Sequence, residues 1–461
     1  MRVIKIGGGC LNGKGTIQTI MDLLADRGKG DVVVVSALKG ITDFLIDAMQ
    51  QALADEANIP DVMHRYRKRH TEVARHLISR KRLLDRAIDE LADSFNQLER
   101  LLYGLSFTRE ITPRLYDTIV SFGEQACARL LAAAMMGRGV DSMAVMPQAS
   151  GLITDGKFGD ATADLKATAA NFKQHLRPMT KRDRIVFMPG FYGVSPKGDI
   201  TTFGRGGSDY SAAVAAATLS AECLEIWKDV DGFMSADPKI VPESQLIPEL
   251  SYEEAAELAY FGAKILHPRT MEPVRLRKIP VAIRNTVKPD AEGTRIQPKS
   301  PQPASVIKSV AYDTGIGLLN IYASGVGARM GILSLVATAM TDHGINIRSV
   351  VTSQTCISLL LARSDLDAGR QALLSLKPRP FRRIEKVADA ALISIVGEGI
   401  SRKKGIAARC FTAVAGCNVN VNMIAFGPSR AALYFLVREK SLQRAVIAIH
   451  STFFSTPRCS N

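Results

Sequence analysis

The sequence predicts an α/β protein: a three-layer αβα sandwich around a mainly parallel sheet, followed by two βαββαβ units. Three observations carry that expectation. Within the first 50 residues, Val3–Ile6 runs into Gly7-Gly8-Gly9 and Val32–Val35 runs into Ser36-Ala37-Leu38-Lys39-Gly40, each ahead of a helical stretch. Strand, glycine loop and helix in that order build parallel sheets covered on both faces. Further on, the apolar run Ile185–Phe191 leads through a short hairpin, Tyr192–Thr202, into the turn Phe203-Gly204-Arg205-Gly206-Gly207-Ser208-Asp209, which opens an alanine-rich helix reaching about Ala221. Finally, Gly325-Val326-Gly327 recurs as Gly397-Glu398-Gly399, and Gly344-Ile345-Asn346-Ile347 as Gly416-Cys417-Asn418-Val419, each 72 positions later. In both copies a strand enters the first glycine pair, a helix lies between and a strand follows the asparagine, which is the opening of a βαββαβ unit.

Taken in order, Thr16–Asp26 reads as the first helix, and the stretch from about Thr42 to Gly104 is helical throughout. There Leu84, Ala87, Ile88, Leu91, Phe95, Leu98, Leu101 and Leu102 recur at three- and four-residue steps, with Asp85, Asp89, Glu90, Asp93 and Arg100 on the other face. Thr118–Met136 is a further helix, with Glu124 near its start on a small, apolar face, a costly place for an unpartnered carboxylate. Residues 157–181 are polar, a loop plus a helix. Cys223–Trp227 is a strand ending in Lys228-Asp229-Val230-Asp231-Gly232. Glu253–Ala263 is helical, His267-Pro268 starts another helix and Pro280–Asn285 is a strand. Residues 287–303 are rich in Pro, Lys and Gly, which places a domain boundary there.

At 461 residues, 46% of them apolar, the chain can bury two or three cores. Its 59 Lys and Arg against 45 Asp and Glu give a net charge of +14. Part of that excess lies in RYRKRH and SRKRLLDR, between Asp61 and Arg86. A solvated helical face explains the run better than nucleic-acid binding, because it lacks the aromatic interleaving of a stacking platform. Seven cysteines with no CxxC pair imply a reduced, cytoplasmic protein without a disulfide framework or zinc site. No signal segment is read ahead of the first strand, and no uninterrupted apolar run reaches the roughly 18 residues of a membrane span.

Three motifs stand in order: FGRGGSDYSA from Phe203, EIWKDVDGFMSADPK from Glu225 and ELAYFGAKILHP from Glu257. Together they resemble the aspartate kinases of the amino-acid kinase superfamily. The 72-residue repeat resembles the paired ACT domains of those enzymes, ferredoxin-like units that bind amino-acid effectors at a subunit or domain interface. The resemblance implies ATP-dependent, Mg2+-assisted phosphorylation of the L-aspartate side chain, the first step towards lysine, threonine and methionine. It also implies lysine or threonine as effector and a cytoplasmic homodimer or higher homo-oligomer. A kinase domain over 1–298, a first ACT-like domain over 305–380 and a second over 381–461 follow. Because such units are often interleaved, the last division, near Leu376–Lys386, is soft.

Phosphoryl transfer to a carboxylate needs cations on the γ-phosphate, a metal and a clamp on the nucleophile more than covalent help. Lys5, the last but one residue of the first strand, can carry an ammonium to the transferring group, with Gly7 and Gly8 as backbone donors; a solvent-facing lysine is the plain alternative. Arg205 is shaped for bidentate capture of an α-carboxylate, Glu124 suits the α-ammonium of the same substrate, and Ser208 reads as a helix cap. By resemblance, Ser36, Thr42 and Ser208 complete the substrate pocket, Asp209 orients the lysines and Lys264 is the second phosphate-facing cation. The plain alternative for Asp209 is stabilisation of its helix N-terminus. Lys228, Asp229, Met234 and Lys239 would hold ATP around the Gly232 loop. The effector would contact Val326, Gly327, Met330, Asn346, Ile347, Thr352 and Ser353, unless the repeats serve dimerisation alone.

The chain also departs from the family. Most relatives read KFGGTS where it has Lys5-Ile6-Gly7-Gly8-Gly9-Cys10, losing two hydroxyls beside the phosphates. They read WTDV where it has Trp227-Lys228-Asp229-Val230, and an aromatic at Met234, which bears on adenine recognition. Lys39 is unexpected in a loop that is usually small and apolar. A specialised kinase and a non-catalytic amino-acid sensor are both compatible with these changes. Kinases of glutamate, acetylglutamate or carbamate are the enzymatic rivals, disfavoured by the repeat. Gly8–Lys14 also spells the P-loop body GxxxxGK, but Gly15 stands where the magnesium-binding hydroxyl belongs.

Overall fold

The protein is seen in a computed structural model that describes residues 1–180, 183–262, 265–302, 306–323, 326, 330–377, 381–427 and 429–454. Two units divide the chain: Met1–Phe233 with Leu246–Ala255 and Lys264–Ser300, and Met234–Gln245 with Ala256–Ala263 and Pro301–Asn461.

The first unit runs β1 (Val3–Ile6), α1 (Lys14–Arg27), β2 (Val32–Val35), α2 (Ile41–Ala54), α3 (Ile59–Leu77), α4 (Lys81–Thr108), α5 (Pro113–Gly137), β3 (Ser142–Ala144), α6 (Pro147–Ser150), α7 (Leu165–Asn171), β4 (Ile185–Pro189), β5 (Tyr192–Val194), β6 (Ile200–Thr202), α8 (Gly207–Leu219), β7 (Leu224–Lys228), β8 (Glu249–Ser251), α9 (Tyr252–Tyr260, crossing into the second unit), α10 (Met271–Arg277), β9 (Val281–Asn285) and β10 (Thr294–Gln297). Among the described residues its main sheet has eight strands in the order β3-β4-β2-β1-β7-β9-β10-β8. Every pairing is parallel except β9 with β10. β2 is four buried valines, as expected of a central parallel strand covered on both faces. β10 lies inside the stretch that composition marked as a linker, so the sheet extends further along the chain than the Pro- and Gly-rich pattern suggested.

Ile4 and Ile6 enter the core shared with α1 to α5. Side chains alternate along a strand, so Lys5 faces the other side of the sheet, where α8 packs on β1, β2 and β7. That parity places a lysine under the glycine turn. α5 begins earlier than its apolar pattern indicates: Thr112 Oγ1 accepts from the Leu115 N–H at 3.2 Å and Pro113 takes the first position. Glu124 therefore sits in mid-helix rather than near the start. By length and composition α5 is apolar enough to cross a membrane, but 89% of that window is buried inside the protein, as in a core helix. At Gly123 a Cβ would stand 2.9 Å from Ala37 Cβ and 3.0 Å from Ile41 Cγ2, so glycine is what lets α5 approach the loop after β2.

The second unit continues with β11 (Ser309–Asp313), β12 (Ile316–Tyr322), α11 (Ile332–Asp342), β13 (Ser349–Thr352), β14 (Cys356–Ala362), α12 (Leu366–Leu374), β15 (Arg383–Val387), β16 (Ala391–Val396), α13 (Ile406–Gly416), β17 (Met423–Phe426), β18 (Ala432–Val437) and α14 (Leu442–Phe454). It holds two antiparallel sheets, β13-β14-β12-β15 and β17-β18-β16-β11. The first repeat is a complete βαββαβ unit. In the second, the place taken by β15 in the first is filled by β11, which precedes both repeats. A boundary at 380/381 therefore cuts neither sheet cleanly: β15 lies beyond it yet completes the first sheet, and β11 lies before it yet completes the second.

Candidate active site

The end of β1, the loops after β2 and β4, the end of β6 and the first turn of α8 line a cleft of about 530 Å³. Lys5, Ser36, Thr42, Arg205, Ser208 and Asp209 all face it, together with Asp43, Tyr116 and Thr202. Six residues singled out in the sequence, from three separate stretches of chain, thus meet in one place. Gly206 (φ +75°) is the N-cap of α8, and no side chain caps the helix. Ser208 lies one residue inside the helix, on the cleft wall, so its expected capping role is not what the structure shows. A Cβ on Gly206 would stand 2.4 Å from His267 Cβ, which restricts this turn to glycine.

The charges concentrate on Asp209. Lys5 Nζ lies 2.5 Å from its Oδ1, and Lys228 Nζ donates to its Oδ2 at 3.0 Å. Lys228 also donates to the Ile265 carbonyl. Burial alone would raise the Asp209 carboxyl, but the Lys5 and Lys228 charges outweigh it and hold the group below the ordinary carboxylate range. Burial pushes the Lys5 ammonium down against the pull of Asp209, and the Lys228 charge lowers it further. Lys228, read in the sequence as one of the residues that would hold ATP, thus reaches inward to the carboxylate that holds Lys5.

Glu124 lies behind the cleft, 3% exposed, and its Oε2 has no hydrogen-bond partner. Burial pushes its carboxyl up to about 8, opposed by the Ala37 and Glu124 N–H groups and the Lys5 charge. The Gly7 N–H donates to the Trp227 carbonyl at 3.1 Å, so it is not the free donor that the sequence suggested. Asp229 is exposed at the end of β7, and its Oδ2 would lie 3.1 Å from a Cβ on Gly9. The missing side chain at residue 9 leaves room for that carboxylate. Met234 and Lys239 belong to the second unit, where the Met234 carbonyl accepts from Ser309 Oγ at 2.8 Å and the Lys239 N–H donates to Asp237 Oδ1 at 2.9 Å. Lys264 lies outside the described residues.

Two positioning residues escaped the sequence reading. Asp117 is fully buried and accepts three hydrogen bonds, from the Gly159 N–H (2.9 Å), the Thr202 N–H (2.8 Å) and Thr202 Oγ1 (2.8 Å). It fixes the strand that leads into the glycine turn. The expected helix began at Thr118, so this carboxylate fell outside the apolar face where it would have stood out. Arg269 donates to Asp160 Oδ1 (2.7 Å), Phe203 O (3.2 Å) and Ala161 O (2.6 Å), and stacks on Tyr210 with 4.7 Å to the ring centroid. Asp117→Ala would strand the two fully buried Thr202 donors, each worth about 1.5 kcal/mol against a charged acceptor, and should lower stability by about 3 kcal/mol. Urea melts of the two proteins check this.

Within the second unit, the Val326 N–H donates to the Gln354 carbonyl at 3.0 Å and Ser353 Oγ accepts from the Cys356 N–H at 3.1 Å, so the loop at 326 meets the β13–β14 turn. Met330, Asn346 and Thr352 are exposed, and Ile347 packs at the edge of the core. Gly327 lies outside the described residues.

Known proteins agree with this architecture. The amino acid kinase family matches residues 1–285, and an ACT domain matches residues 393–453. Aspartokinase 3, chloroplastic, of Arabidopsis thaliana is 31% identical over 469 residues, covering 99% of this chain and 82% of its own length. The bifunctional aspartokinase/homoserine dehydrogenase of Haemophilus influenzae is 30% identical over 473 residues; 99% of this chain spans 57% of that longer protein. E. coli aspartokinase III, solved in complex with aspartate and ADP in its R-state, has a TM-score of 0.83 and 27% identity, covering 98% of this chain and 100% of the other. Its T-state complex with lysine and aspartate has a TM-score of 0.81 and 28% identity, covering 98% of this chain and 99% of the other. The chain belongs to the amino acid kinase family and, within it, to the aspartokinases.

Proposed function

We propose that the protein transfers the γ-phosphoryl group of ATP to the side-chain carboxylate of L-aspartate, giving ADP and 4-phospho-L-aspartate, under control of amino acids bound by its C-terminal repeats. The observation that carries this reading is the single cleft in which a carboxylate-held lysine, Lys5, faces Arg205, Ser36 and Thr42. Its relatives named as aspartokinases, and the aspartate and ADP held by E. coli aspartokinase III, support it.

Arg205 clamps the α-carboxylate of the substrate. Glu124, with an unpartnered oxygen, answers the α-ammonium, and the loss of its proton when that cation arrives completes the pair. Ser36, Thr42 and Ser208 fix the remaining polar edges and leave the side-chain carboxylate free. That group is already the nucleophile, so no general base is required. Lys5, and Lys264 by resemblance, neutralise charge on the departing phosphates, while Asp229 serves the nucleotide. Among the described residues no cluster of three or more metal-ligating side chains occurs. A magnesium ion would come with the nucleotide on its phosphate oxygens and would supply charge neutralisation there.

Protein incubated with Mg-ATP, aspartate and hydroxylamine should yield aspartyl hydroxamate; none above the blank, with or without effectors, rejects the reading. Lysine or threonine would bind at Val326, Met330, Asn346, Ile347, Thr352 and Ser353 and bias a cytoplasmic homodimer between two states. Flat calorimetric titrations with both amino acids would leave dimerisation as the repeats' role.

Glu124 makes a separate prediction. Its folded carboxyl keeps its proton up to about 8 against an ordinary 4.5, so the folded protein binds more protons than the unfolded chain across that window. Stability is therefore full below the ordinary value and falls as pH rises towards 8. Glu124→Gln removes this term, and its melting temperature should change less between those two pH values than that of the parent.

A further inference from the structure

The ammonium groups of Lys5 and Lys228 come from the ends of adjacent parallel strands, β1 and β7, and meet on opposite oxygens of one buried carboxylate, Asp209. The Lys228 side chain is only 18% exposed, and its other partner is the Ile265 carbonyl. Both lysines flank the bare backbone of Gly7: a Cβ there would stand 3.5 Å from Lys5 Nζ and 3.8 Å from Lys228 Cγ. A side chain at residue 7 would press on both. Two ammonium groups sharing one carboxylate leave a net positive charge beside a glycine loop, which suits a polyphosphate and little else of that size.

We propose that Lys228 is a second catalytic ammonium, facing the transferring phosphoryl group from the side of Asp209 opposite Lys5. This deepens the kinase reading and rests on it. During transfer an oxygen of the aspartate side chain bonds to the γ-phosphorus, and the bond from that phosphorus to the β–γ bridging oxygen breaks. Its electron pair stays on ADP, and no proton moves. Charge grows on the bridging oxygen and the γ-oxygens. Lys5 and Lys228 release part of their hold on Asp209 to meet that charge, while Asp209 keeps both near it in the resting site. The groups facing Lys5 are Asp209, Lys228, Cys10 and Glu124.

The test compares Lys228→Met and Lys228→Arg with the parent in the hydroxamate assay. Loss of one preorganised cation should lower kcat of Lys228→Met about 10²-fold while leaving the KM for aspartate within about twofold, and Lys228→Arg should recover part of the rate. Removing a neighbouring cation makes the Lys5 ammonium easier to keep protonated, so the alkaline limb of the kcat profile should move to higher pH in Lys228→Met. A strap that merely holds the Ile265 carbonyl would lower the melting temperature and leave that limb in place, which would overturn the proposal, as would an unchanged kcat. ATP binding by calorimetry supplies a readout independent of the acceptor: Lys228→Met should bind about tenfold more weakly, the weight of one charge-assisted hydrogen bond. Parent protein that binds ATP but makes no hydroxamate rejects aspartate as acceptor; parent and variant binding ATP equally well reject the role of Lys228.

Discussion

Asp209→Ala should both inactivate and destabilise the protein. The carboxylate is 6% exposed and carries two ammonium groups, Lys5 at 2.5 Å and Lys228 at 3.0 Å. Without it, two like charges face one another in a poorly hydrated pocket with nothing between them. Breaking a buried ion pair from one side costs about 3 kcal/mol or more, because the stranded charge keeps its desolvation penalty. Either lysine can escape part of that cost by losing its proton, and a neutral amine no longer stabilises phosphate charge. Activity should therefore fall on the order of 10³-fold. Urea titration and hydroxamate formation read the two effects separately. The instability should be greatest near neutral pH and ease in alkali, since deprotonation relieves the repulsion. A variant as stable as the parent would mean that Asp209 does not hold the lysines apart.

Lys5→Met should show the opposite combination, a lost rate on an intact fold. Methionine fills much of the space of the lysine stem, and Asp209 keeps Lys228 as its counter-ion. The remaining pair is neutral overall, so the burial cost of an unmatched charge does not arise. What disappears is the cation aimed at the γ-phosphoryl group, and kcat should fall on the order of 10³-fold with little change in the KM for aspartate. A melting temperature close to that of the parent, with hydroxamate near the blank, is the expected record.

Much of this site was legible in the sequence because its parts are local. Lys5 is the last but one residue of a β-branched strand, Arg205 sits among glycines and Asp209 lies in the first turn of a helix, and each declares a position by its immediate neighbours. Alternation on β1 and the positive φ at Gly206 then bring them together with little freedom. What escaped was non-local. Asp117 works through partners 42 and 85 residues away, and Arg269 reaches back across the chain to residues 160–162 and 203; neither has a short-range signature. Lys228 was visible as a departure, but its meaning depended on the direction of a flexible stem, which spacing cannot give. The short strand β10 was hidden for a related reason: one turn of Pro- and Gly-rich chain on either side outweighs four residues of Thr-Arg-Ile-Gln in any composition window.

The exchange of β11 and β15 between the two small sheets has a consequence for how the chain is made. β11 is translated early, yet its partner β16 follows only some 80 residues later. Until then the edge of β11 that pairs with β16 stands open, and its backbone tie to earlier chain is the Val310 N–H to the Ser235 carbonyl; such an edge invites pairing with a neighbouring nascent chain. Any chain interrupted within that interval would leave the ribosome with a sticky ribbon already attached to a finished catalytic sheet.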